Sequence, residues 1–362
     1  MKPGGDADRL RERIAAALAR RAELLREAAS TSPLGAVRWV NGGGDALPGL
    51  HVDALADQLV VHVDEQECGA GREAVVAALL AAAEQAGRAP PAAIWWKPLR
   101  RDVRRAGKEE LLPERVHGAA AGDEGGDAAG GGEGPEFAVR EVAWRFLVRP
   151  REGYSHGLYL DQRDNRRRLH EWLRGRAAEH ARAGRPAPIA LNTFAYTGSF
   201  SIAAATAGAA TCTVDLSARY LDWARRNLDV NGLDPAAHEF GRADALDWLE
   251  IAAKRGRRFD AIVLDPPTFS TSKQRGTFQV ERDYAALAGF ALRVAAPGAL
   301  LLCSHNQKTF RTEALQEKLR SAAAAAGRSL ARLEPFAAPP DFPGPPATNP
   351  ASRGLWLTLT VP

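Results

Sequence analysis

Cysteine is scarce in this chain: its 362 residues include only Cys68, Cys212 and Cys303. The three are far apart and do not have the spacing of metal ligands, so the sequence predicts neither a disulfide framework nor a cysteine-based metal site. We therefore expect no bound metal and three reduced thiols, as in a cytoplasmic protein.

Long apolar runs are also missing, and none approaches the roughly 18 residues that a membrane-spanning helix requires. A soluble protein is therefore expected. The Arg-rich N-terminal segment contains acidic residues, including Asp6, Asp8 and Glu12, which transit peptides lack. Residues 6–29 carry apolar side chains at helical spacing and are predicted to form one amphipathic helix.

Charge is unevenly distributed, although the net charge is only +4. Between Arg140 and Arg185 there are twelve arginines and six acidic residues. Such a basic segment is typical of proteins that bind a nucleic-acid backbone. The alternative is an ordinary hydrated surface in an Arg-rich protein.

Three regions are distinguished by composition. Residues 1–35 hold the N-terminal helix. Residues 36–150 contain short strands separated by Gly and Asp turns, with an Ala-rich helix, and are predicted to form a small α+β domain. Within it, residues 117–136 are rich in Gly and acidic residues and are predicted to be a disordered insertion. Residues 151–362 form the third region.

Strands and helices alternate from residue 189 onward, an order that predicts a doubly wound parallel α/β sheet. The predicted strands are 189–194, 211–215, 238–241, 259–264 and 299–304. The predicted helices are 198–207, 217–231, 244–254 and 281–295. Two late strands, 330–333 and 355–361, are predicted to form an antiparallel edge.

The strand at 259–264 runs directly into Asp265-Pro266-Pro267. Two prolines remove two backbone donors, so the chain must leave the sheet there. Asp265 is therefore expected at the carboxyl end of a buried parallel strand, where open α/β sheets bind ligands. An ordinary exit from strand to loop is the alternative.

Three other strand ends carry polar groups. The turn from Asn192 to Gly198 leads into a helix but lacks the full Gly-x-Gly-x-x-Gly pattern of dinucleotide sites. Asp215 follows about twenty residues later, a spacing that suits a carboxylate on ribose hydroxyls. Asp244 opens the next helix, and a helix N-cap is its alternative role. Together they predict a pocket for an adenosine-like ligand.

Several long motifs resemble one family. Asn192–Phe200, Ser217–Leu233 and Asp265–Ser270 are similar to the class I S-adenosylmethionine-dependent methyltransferases that modify large-subunit ribosomal RNA. Trp39–Leu50 and Gly157–Arg163 resemble the domain that precedes the catalytic one, so the resemblance covers about residues 36–362. It implies a Rossmann-like methyltransferase sheet preceded by a small α+β domain and a helix.

The resemblance also implies roles for individual residues. The turn would hold the methionine part of S-adenosylmethionine, Asp215 the ribose and Asp244 the adenine, with Asp265 facing the transferable methyl. The cofactor-binding set is then Asn192, Phe194, Tyr196, Thr197, Gly198, Asp215, Leu216, Asp244, Ala245 and Asp265.

Two branches of the family differ in chemistry. One methylates carbon 5 of cytosine and needs a cysteine nucleophile, whereas the other methylates nitrogen 7 of guanine directly. His305 stands where the cytosine branch carries its cysteine. Cys303 lies two residues earlier and is interpreted as a small buried strand residue. The run Ser304–Arg311 resembles the guanine branch, although His305 and Gln307 depart from its pattern, so the base stays open.

Asp265, Pro266, Phe269 and Asn306 are the candidate catalytic residues. Phe269 is predicted to stack on an unstacked base, and Asp265 with Asn306 to read the base edge. The predicted RNA-contacting residues are Asp161, Arg163, Arg166, Arg167, Lys308 and Phe342. The alternative roles are structural. Phe269 would be a core aromatic, Asp161 and Arg163 would form a salt bridge between the loop and the helix, and Arg166 and Arg167 would face water.

A different class of function is compatible with the same pocket. The chain would then be a regulatory or RNA-scaffolding protein that binds S-adenosylmethionine without transferring its methyl. Transfer of labelled methyl to RNA distinguishes the two.

Overall fold

The computed structural model describes residues 4–32, 34–99, 112–118, 134–152, 155–272, 276–307, 309–344 and 353–361. The chain divides into two compact units. The first comprises Met1–Asp161 with Pro339–Pro350, and the second comprises Gln162–Ala338 with Ala351–Pro362.

The first unit combines a mixed sheet with helices. Its helices are α1 (Gly4–Arg20), α2 (Ala22–Ala29), α3 (Glu65–Cys68) and α4 (Arg72–Gln85). Its strands are β1 (Ala36–Asn41), β2 (Leu50–Leu55), β3 (Gln58–Val63), β4 (Ala93–Pro98), β5 (Glu114–Gly118), β6 (Phe137–Glu141) and β7 (Trp144–Val148). Strands β1 to β5 pair in sequence order, with β3 and β4 parallel and the other pairs antiparallel. Strands β6 and β7 form a separate hairpin.

The N-terminal helix differs from its prediction in two ways. It is two helices, interrupted at Arg21, rather than one over residues 6–29. Arg21 occupies a position in the apolar stripe and is itself buried, because its guanidinium pairs with the buried carboxylate of Asp45. The helices are also not a separate region, since Ile14 and Leu18 are buried in the same core as the sheet.

The domain boundaries also differ from those predicted. The first unit extends to Asp161 instead of residue 150, and it includes residues 339–350 from near the end of the chain. This late segment is held by buried polar contacts. Arg21 donates to the carbonyl of Asp341 at 2.9 Å, and the backbone N–H of Arg38 donates to the Asp341 carboxylate at 3.0 Å. The predicted insertion overlaps β5 at His117 and Gly118, and residues 119–133 lie outside the described residues.

The second unit is the predicted α/β sheet. Its helices are α5 (Arg163–Arg182), α6 (Ser199–Thr206), α7 (Ala218–Asp229), α8 (Ala245–Lys254), α9 (Val280–Val294) and α10 (Thr312–Ala325). Its strands are β8 (Ile189–Thr193), β9 (Ala210–Asp215), β10 (Glu239–Arg242), β11 (Phe259–Leu264), β12 (Phe269–Ser272), β13 (Gly276–Gln279), β14 (Ala295–His305), β15 (Leu330–Pro335) and β16 (Arg353–Leu359).

The sheet order is β10-β9-β8-β11-β14-β16-β15, and the two late strands pair antiparallel. The chain builds outward from β8 to β10 and then returns to β11, so a topological switch point lies between the neighbouring strands β8 and β11. All six residues of β11 are buried, as expected for a parallel strand covered on both faces. The doubly wound α/β prediction is confirmed.

One element of this unit was not predicted. Strands β12 and β13 form a two-stranded hairpin directly after Asp265-Pro266-Pro267. The second strand begins at Gly276, which has φ +72°. None of the helices in the described part of the chain is both long enough and apolar enough to cross a membrane.

Candidate functional site

The turn after β8 has an unusual backbone conformation. Phe194 and Tyr196 have φ values of 53° and 51°, and Gly198 has φ 80°. A left-handed conformation costs a non-glycine residue roughly 1 kcal/mol or more, so surrounding contacts must hold this turn. Tyr196 donates its backbone N–H to the Asp215 carboxylate at 2.9 Å, and Asn227 donates its amide to the Thr197 carbonyl at 2.9 Å. These two hydrogen bonds hold the turn in its left-handed conformations.

Gly198 is required by close packing as well as by its conformation. A Cβ atom there would lie 2.7 Å from the Cβ of Ala224 in α7. The glycine thus lets α6 start close against α7.

Asp215 ends β9 beside this turn. One of its carboxylate oxygens accepts from Tyr196 N–H, and the other accepts from Ser217 N–H at 2.9 Å. Burial raises the pKa of Asp215, and the backbone donors oppose that shift. Leu216, the next residue, is 40% exposed. An oriented carboxylate next to an exposed apolar side chain fits a ribose hydroxyl pair and an adjoining base.

Asp244 and Ala245 are less available than predicted. Asp244 is the N-cap of α8, and its Oδ1 accepts from Leu246 N–H at 2.9 Å and Asp247 N–H at 3.4 Å. Ala245 is buried in the first turn of α8. Since both capping bonds use Oδ1, only Oδ2 of Asp244 is without a hydrogen bond to the described residues.

Asn192 also has a structural contact. Its side-chain amide is buried and donates to Ser201 Oγ at 3.0 Å, which ties β8 to α6. Thr197 is buried as well. The half-buried Phe194 ring packs 5.9 Å from the ring of Phe278. The Asn192 amide thus has a structural role within the unit, and its contact with the cofactor stays a prediction.

Asp265 follows β11 on the other side of the switch point. Its Oδ1 accepts a hydrogen bond of 2.6 Å from the hydroxyl of Ser304, a buried residue near the end of β14. Pro266 is buried, while Phe269 at the start of β12 is 50% exposed and Asn306 is exposed. The carboxylate is thus held at the carboxyl end of the parallel strands, and an exposed aromatic ring follows four residues later in the chain.

Cys303 lies in β14, one residue before Ser304, in the interior of the unit. It is fully buried, and burial raises the pKa of its thiol to about 12. The Tyr284 hydroxyl lies 3.2 Å from the carbonyls of both Leu264 and Ser304. Cys303 is therefore a buried strand residue, as the sequence interpretation proposed.

His305 is a buried imidazole at the end of β14. Its ring stacks on Phe310 with centroids 4.5 Å apart. Burial, with the nearby Arg353 charge, lowers the pKa of His305 to about 4. The ring is thus neutral at pH 7.

Acid pH is expected to destabilise the protein partly through this residue. Because the folded-state pKa of His305 lies below its ordinary value of 6.5, its stabilising effect is complete above pH 6.5 and is lost as the pH falls towards 4. The loss amounts to about 2 kcal/mol at pH 5. Urea unfolding at pH 7 and pH 5 should therefore show a smaller difference for His305→Asn than for the wild type. An unchanged difference would contradict the neutral buried imidazole.

The predicted RNA-contacting arginines separate into buried and exposed positions. Arg163 and Arg166 are buried, so the prediction that they contact RNA is wrong. The Arg166 guanidinium lies 5.8 Å from the ring centroid of Phe200, and helix packing explains its burial. Arg167 is exposed. Lys308 lies outside the described residues.

Asp161 and Phe342 belong to the first unit. Asp161 is half-buried. Phe342 is 4% exposed, and the Arg38 guanidinium lies 4.6 Å from its ring centroid. The prediction that Phe342 contacts RNA is therefore wrong, because its ring is packed inside that unit.

The first unit also contains a buried ionic cluster that sequence reasoning missed. The Asp53 carboxylate receives two hydrogen bonds from Arg38 and lies 3.2 Å from His156 Nε2 and 3.6 Å from His62 Nε2. The potential metal-ligand atoms of Asp53, His62 and His156 lie within 4.8 Å of one another. Because Arg38 binds both carboxylate oxygens, we interpret the cluster as an ion pair with two histidines. The signal in the sequence was an acid inside an apolar strand.

Comparison with known proteins agrees with this geometry. A family model described as S-adenosylmethionine-dependent methyltransferase matches residues 129–356, more than half of the chain. Ribosomal RNA large subunit methyltransferase K from Neisseria meningitidis is 40% identical over 182 residues, which is 50% of this chain and 48% of that protein. Ribosomal RNA large subunit methyltransferase K/L from Methylococcus capsulatus is 38% identical, over 61% of this chain and 27% of that protein. The chain thus spans at most about half the length of these relatives.

Solved structures share the fold. A protein described as a candidate methyltransferase, SMU.776, solved in complex with SAH, superposes with a TM-score of 0.77 at 22% identity, covering 97% of this chain and 81% of that one. An S-adenosylmethionine-dependent methyltransferase from Agrobacterium tumefaciens has a TM-score of 0.62 at 20% identity, with 90% and 89% covered. The strained turn, Asp215 and Asp265 lie at one switch point, and the family model covers all of them. This chain therefore belongs to the S-adenosylmethionine-dependent methyltransferase family.

Proposed function

We propose that the protein methylates nitrogen 7 of a guanine in large-subunit ribosomal RNA. The observation that carries the proposal is the Asp265 carboxylate, held by Ser304 at the switch point across from Asp215. The substrate class is supported by the matched relatives, which are named ribosomal RNA large subunit methyltransferases.

The residues around the turn fit S-adenosylmethionine. Asp215 would accept from the ribose hydroxyls, Leu216 would pack against the adenine, and the backbone from Phe194 to Gly198 would follow the methionine part. When bound, this cofactor supplies a methyl group on a positively charged sulfur. The fit rests on the conformation of the turn, since its positive φ values and its bond to Asp215 place its backbone next to that carboxylate.

Asp265 is proposed to position the acceptor base. Nitrogen 7 of guanine has a free lone pair and no proton, so no general base is needed there. A carboxylate fixed by the 2.6 Å bond from Ser304 can accept a hydrogen bond from a base edge and align it. Most of the rate enhancement then comes from proximity and orientation.

Phe269 is proposed as the stacking surface for that base. Its ring is half exposed although phenylalanine is usually buried, and it follows Pro266 and Pro267 at the strand end. A base inside folded RNA must leave its stack to reach such a site, and an exposed aromatic face compensates for lost stacking. Asn306, exposed after β14, is proposed to contact the base edge.

The RNA backbone is proposed to follow α5. Arg163 and Arg166 are unavailable, but other arginines of this helix and its C-terminal extension are exposed: Arg167, Arg174, Arg182 and Arg185. Exposed arginines position phosphates without reading sequence, so this surface supplies affinity and the pocket supplies base choice.

Direct transfer to nitrogen 7 is favoured over the covalent cytosine route by the position of the thiol. A Cys nucleophile must be a thiolate at the site, whereas Cys303 is buried with its pKa raised to about 12. His305, which stands where the cytosine branch has its Cys, carries no thiol, and its ring is buried against Phe310.

Transfer of labelled methyl from S-adenosylmethionine to large-subunit ribosomal RNA tests the proposal. Mass-spectrometric mapping of the product should find 7-methylguanine. Methylation at carbon 5 of cytosine would replace the guanine assignment. Cofactor binding without label entering any RNA would instead support the non-enzymatic RNA-scaffold or regulatory function. A cytoplasmic location is part of the proposal, and the three cysteines are unpaired as it requires.

Replacing Cys303 by alanine separates the two chemistries. We expect methyl transfer to stay within about threefold of wild type, because the thiol forms no bond in direct transfer. The control is Cys212→Ala, which removes another buried strand thiol of the same unit. Loss of activity in the Cys303 variant alone, with cofactor affinity retained, would restore the covalent cytosine mechanism.

A further inference from the structure

Tyr284 carries a fully buried hydroxyl near the start of α9. The side chain is 0% exposed, and its ring lies in the core of the second unit with its centroid 6.2 Å from that of Phe310. A phenylalanine would fill the same apolar space, so packing of the ring does not account for the hydroxyl. Burial raises the pKa of Tyr284 well above its usual value, so the hydroxyl stays protonated and can donate a hydrogen bond.

The hydroxyl lies between the ends of the two strands that carry the acceptor side of the site. It donates to the carbonyl of Leu264 in β11 and to the carbonyl of Ser304 in β14, both at 3.2 Å. Leu264 directly precedes Asp265, and the Ser304 side chain donates to the Asp265 carboxylate. One hydroxyl thus joins the two backbone segments from which the Asp265 and Ser304 side chains extend.

Regular pairing between β11 and β14 ends at this level. The last paired residues are Leu264 and Cys303, so Asp265 and Ser304 lie just beyond the backbone ladder. The two prolines that follow Asp265 have no N–H groups and cannot continue the ladder. Tyr284 therefore supplies a bond from another element at the point where the two strands stop holding each other.

A second contact of α9 with this region is exposed to water. Gln307, two residues after the end of β14, donates its side-chain amide to the Glu281 carboxylate at 2.7 Å. Glu281 lies one turn before Tyr284 on α9. A hydrogen bond shielded from water is electrostatically stronger than an exposed one, so the Tyr284 hydroxyl is the firmer of the two connections.

We infer that Tyr284 is a positioning residue for methyl transfer, which fixes the separation of the β11 and β14 ends and thereby the orientation of the Asp265 carboxylate. This inference rests on the proposed role of Asp265 in aligning the acceptor base. Without the hydroxyl, the bond from Ser304 to Asp265 can still form, but the two strand ends can shift relative to each other. Such a shift slows a reaction whose rate depends on orientation. Because its side chain is fully buried, Tyr284 acts through Asp265.

Tyr284→Phe tests the inference, because it removes the hydroxyl and keeps the ring. Single-turnover transfer of labelled methyl to large-subunit ribosomal RNA, with S-adenosylmethionine and RNA saturating, should slow by about fivefold. The Kd for S-adenosylhomocysteine and the KM for RNA should stay within about twofold of wild type, because a buried side chain reaches neither. In an Asp265→Ala background, the same substitution should change the remaining rate by less than about twofold, since no carboxylate is left to orient.

Thr211→Val is the matched control. It removes another buried hydroxyl of the same unit, which lies 3.0 Å from His238 Nδ1 near the amino end of β9, whereas Asp265 follows the carboxyl end of β11. This variant should transfer methyl at the wild-type rate. Retained affinity for S-adenosylhomocysteine shows that the second unit of each variant is folded.

Three results would overturn the inference while leaving the proposed function intact. They are an unchanged rate for Tyr284→Phe, an equal fold-loss with and without the Asp265 carboxylate, and a loss of cofactor affinity as large as the loss of rate. The second and third would show a general structural role of the hydroxyl. A wild-type protein that transfers no methyl to any RNA would overturn the proposed function and this inference with it.

Discussion

Replacing Asp265 by alanine is expected to reduce methyl transfer by roughly 10²- to 10³-fold, with a much smaller effect on cofactor affinity. The carboxylate is fixed by the Ser304 hydroxyl at the end of the switch-point strand, where misplacing a reacting group by about 1 Å can cost 10²-fold in rate. Single-turnover transfer to RNA and calorimetric titration with S-adenosylhomocysteine separate the two effects.

Two further variants serve as comparisons for the Asp265 variant. Ser304→Ala removes only the hydroxyl that holds Asp265, so a smaller loss of about tenfold is expected. Asp222→Ala removes an exposed carboxylate on α7 of the same unit and should leave the rate unchanged. Full activity in the Asp265 variant would exclude its positioning role. A matching loss of cofactor affinity would instead reassign Asp265 to cofactor binding.

Replacing Asp53 by asparagine should destabilise the first unit by about 3–5 kcal/mol. The variant keeps the shape of the side chain but removes the buried negative charge, leaving the Arg38 guanidinium, whose side chain is 16% exposed, without its ion-pair partner. The Arg38 charge and the neighbouring histidines hold the pKa of Asp53 well below its usual value, in spite of burial. The carboxylate therefore stays ionised through the physiological pH range.

Hydrogen exchange of peptides from β1, β2 and β3 measures this loss locally, which matters because a chain of two units need not unfold in one step. Asp57→Asn, an exposed acid between β2 and β3, is the control and should change stability by less than about 0.5 kcal/mol. A change below about 1 kcal/mol for Asp53→Asn would show that the cluster contributes little net stability.

The second unit was the more predictable of the two. Its parallel strands are predicted from apolar runs that end at polar groups. Such a run is a local signal, because it lies within a few neighbouring residues. The carboxylates Asp215 and Asp265 were identified for the same reason. The β12–β13 hairpin was missed because its short strands have no continuous apolar pattern.

Burial of charged residues was the main source of error. Arg163, Arg166 and Arg21 resemble surface arginines in the sequence, yet all three are buried. Arg21 is buried because Asp45 provides an ion-pair partner from a different element. Phe342 is predicted to contact RNA, but Arg38 of the first unit covers its ring. Such partners come from residues that are distant in sequence.

The sequence by itself determined the parallel sheet, the family resemblance and the carboxylates at two strand ends. These features depend on local patterns, since hydrophobic runs and proline or glycine positions act within a few residues. Only the tertiary structure decided which arginines are accessible, that Asp53 is enclosed by Arg38 and two histidines, and that residues 339–350 belong to the first unit. Those outcomes depend on side chains brought together from up to 320 positions apart, as in the bond between Arg21 and Asp341, and no local pattern encodes such a pairing.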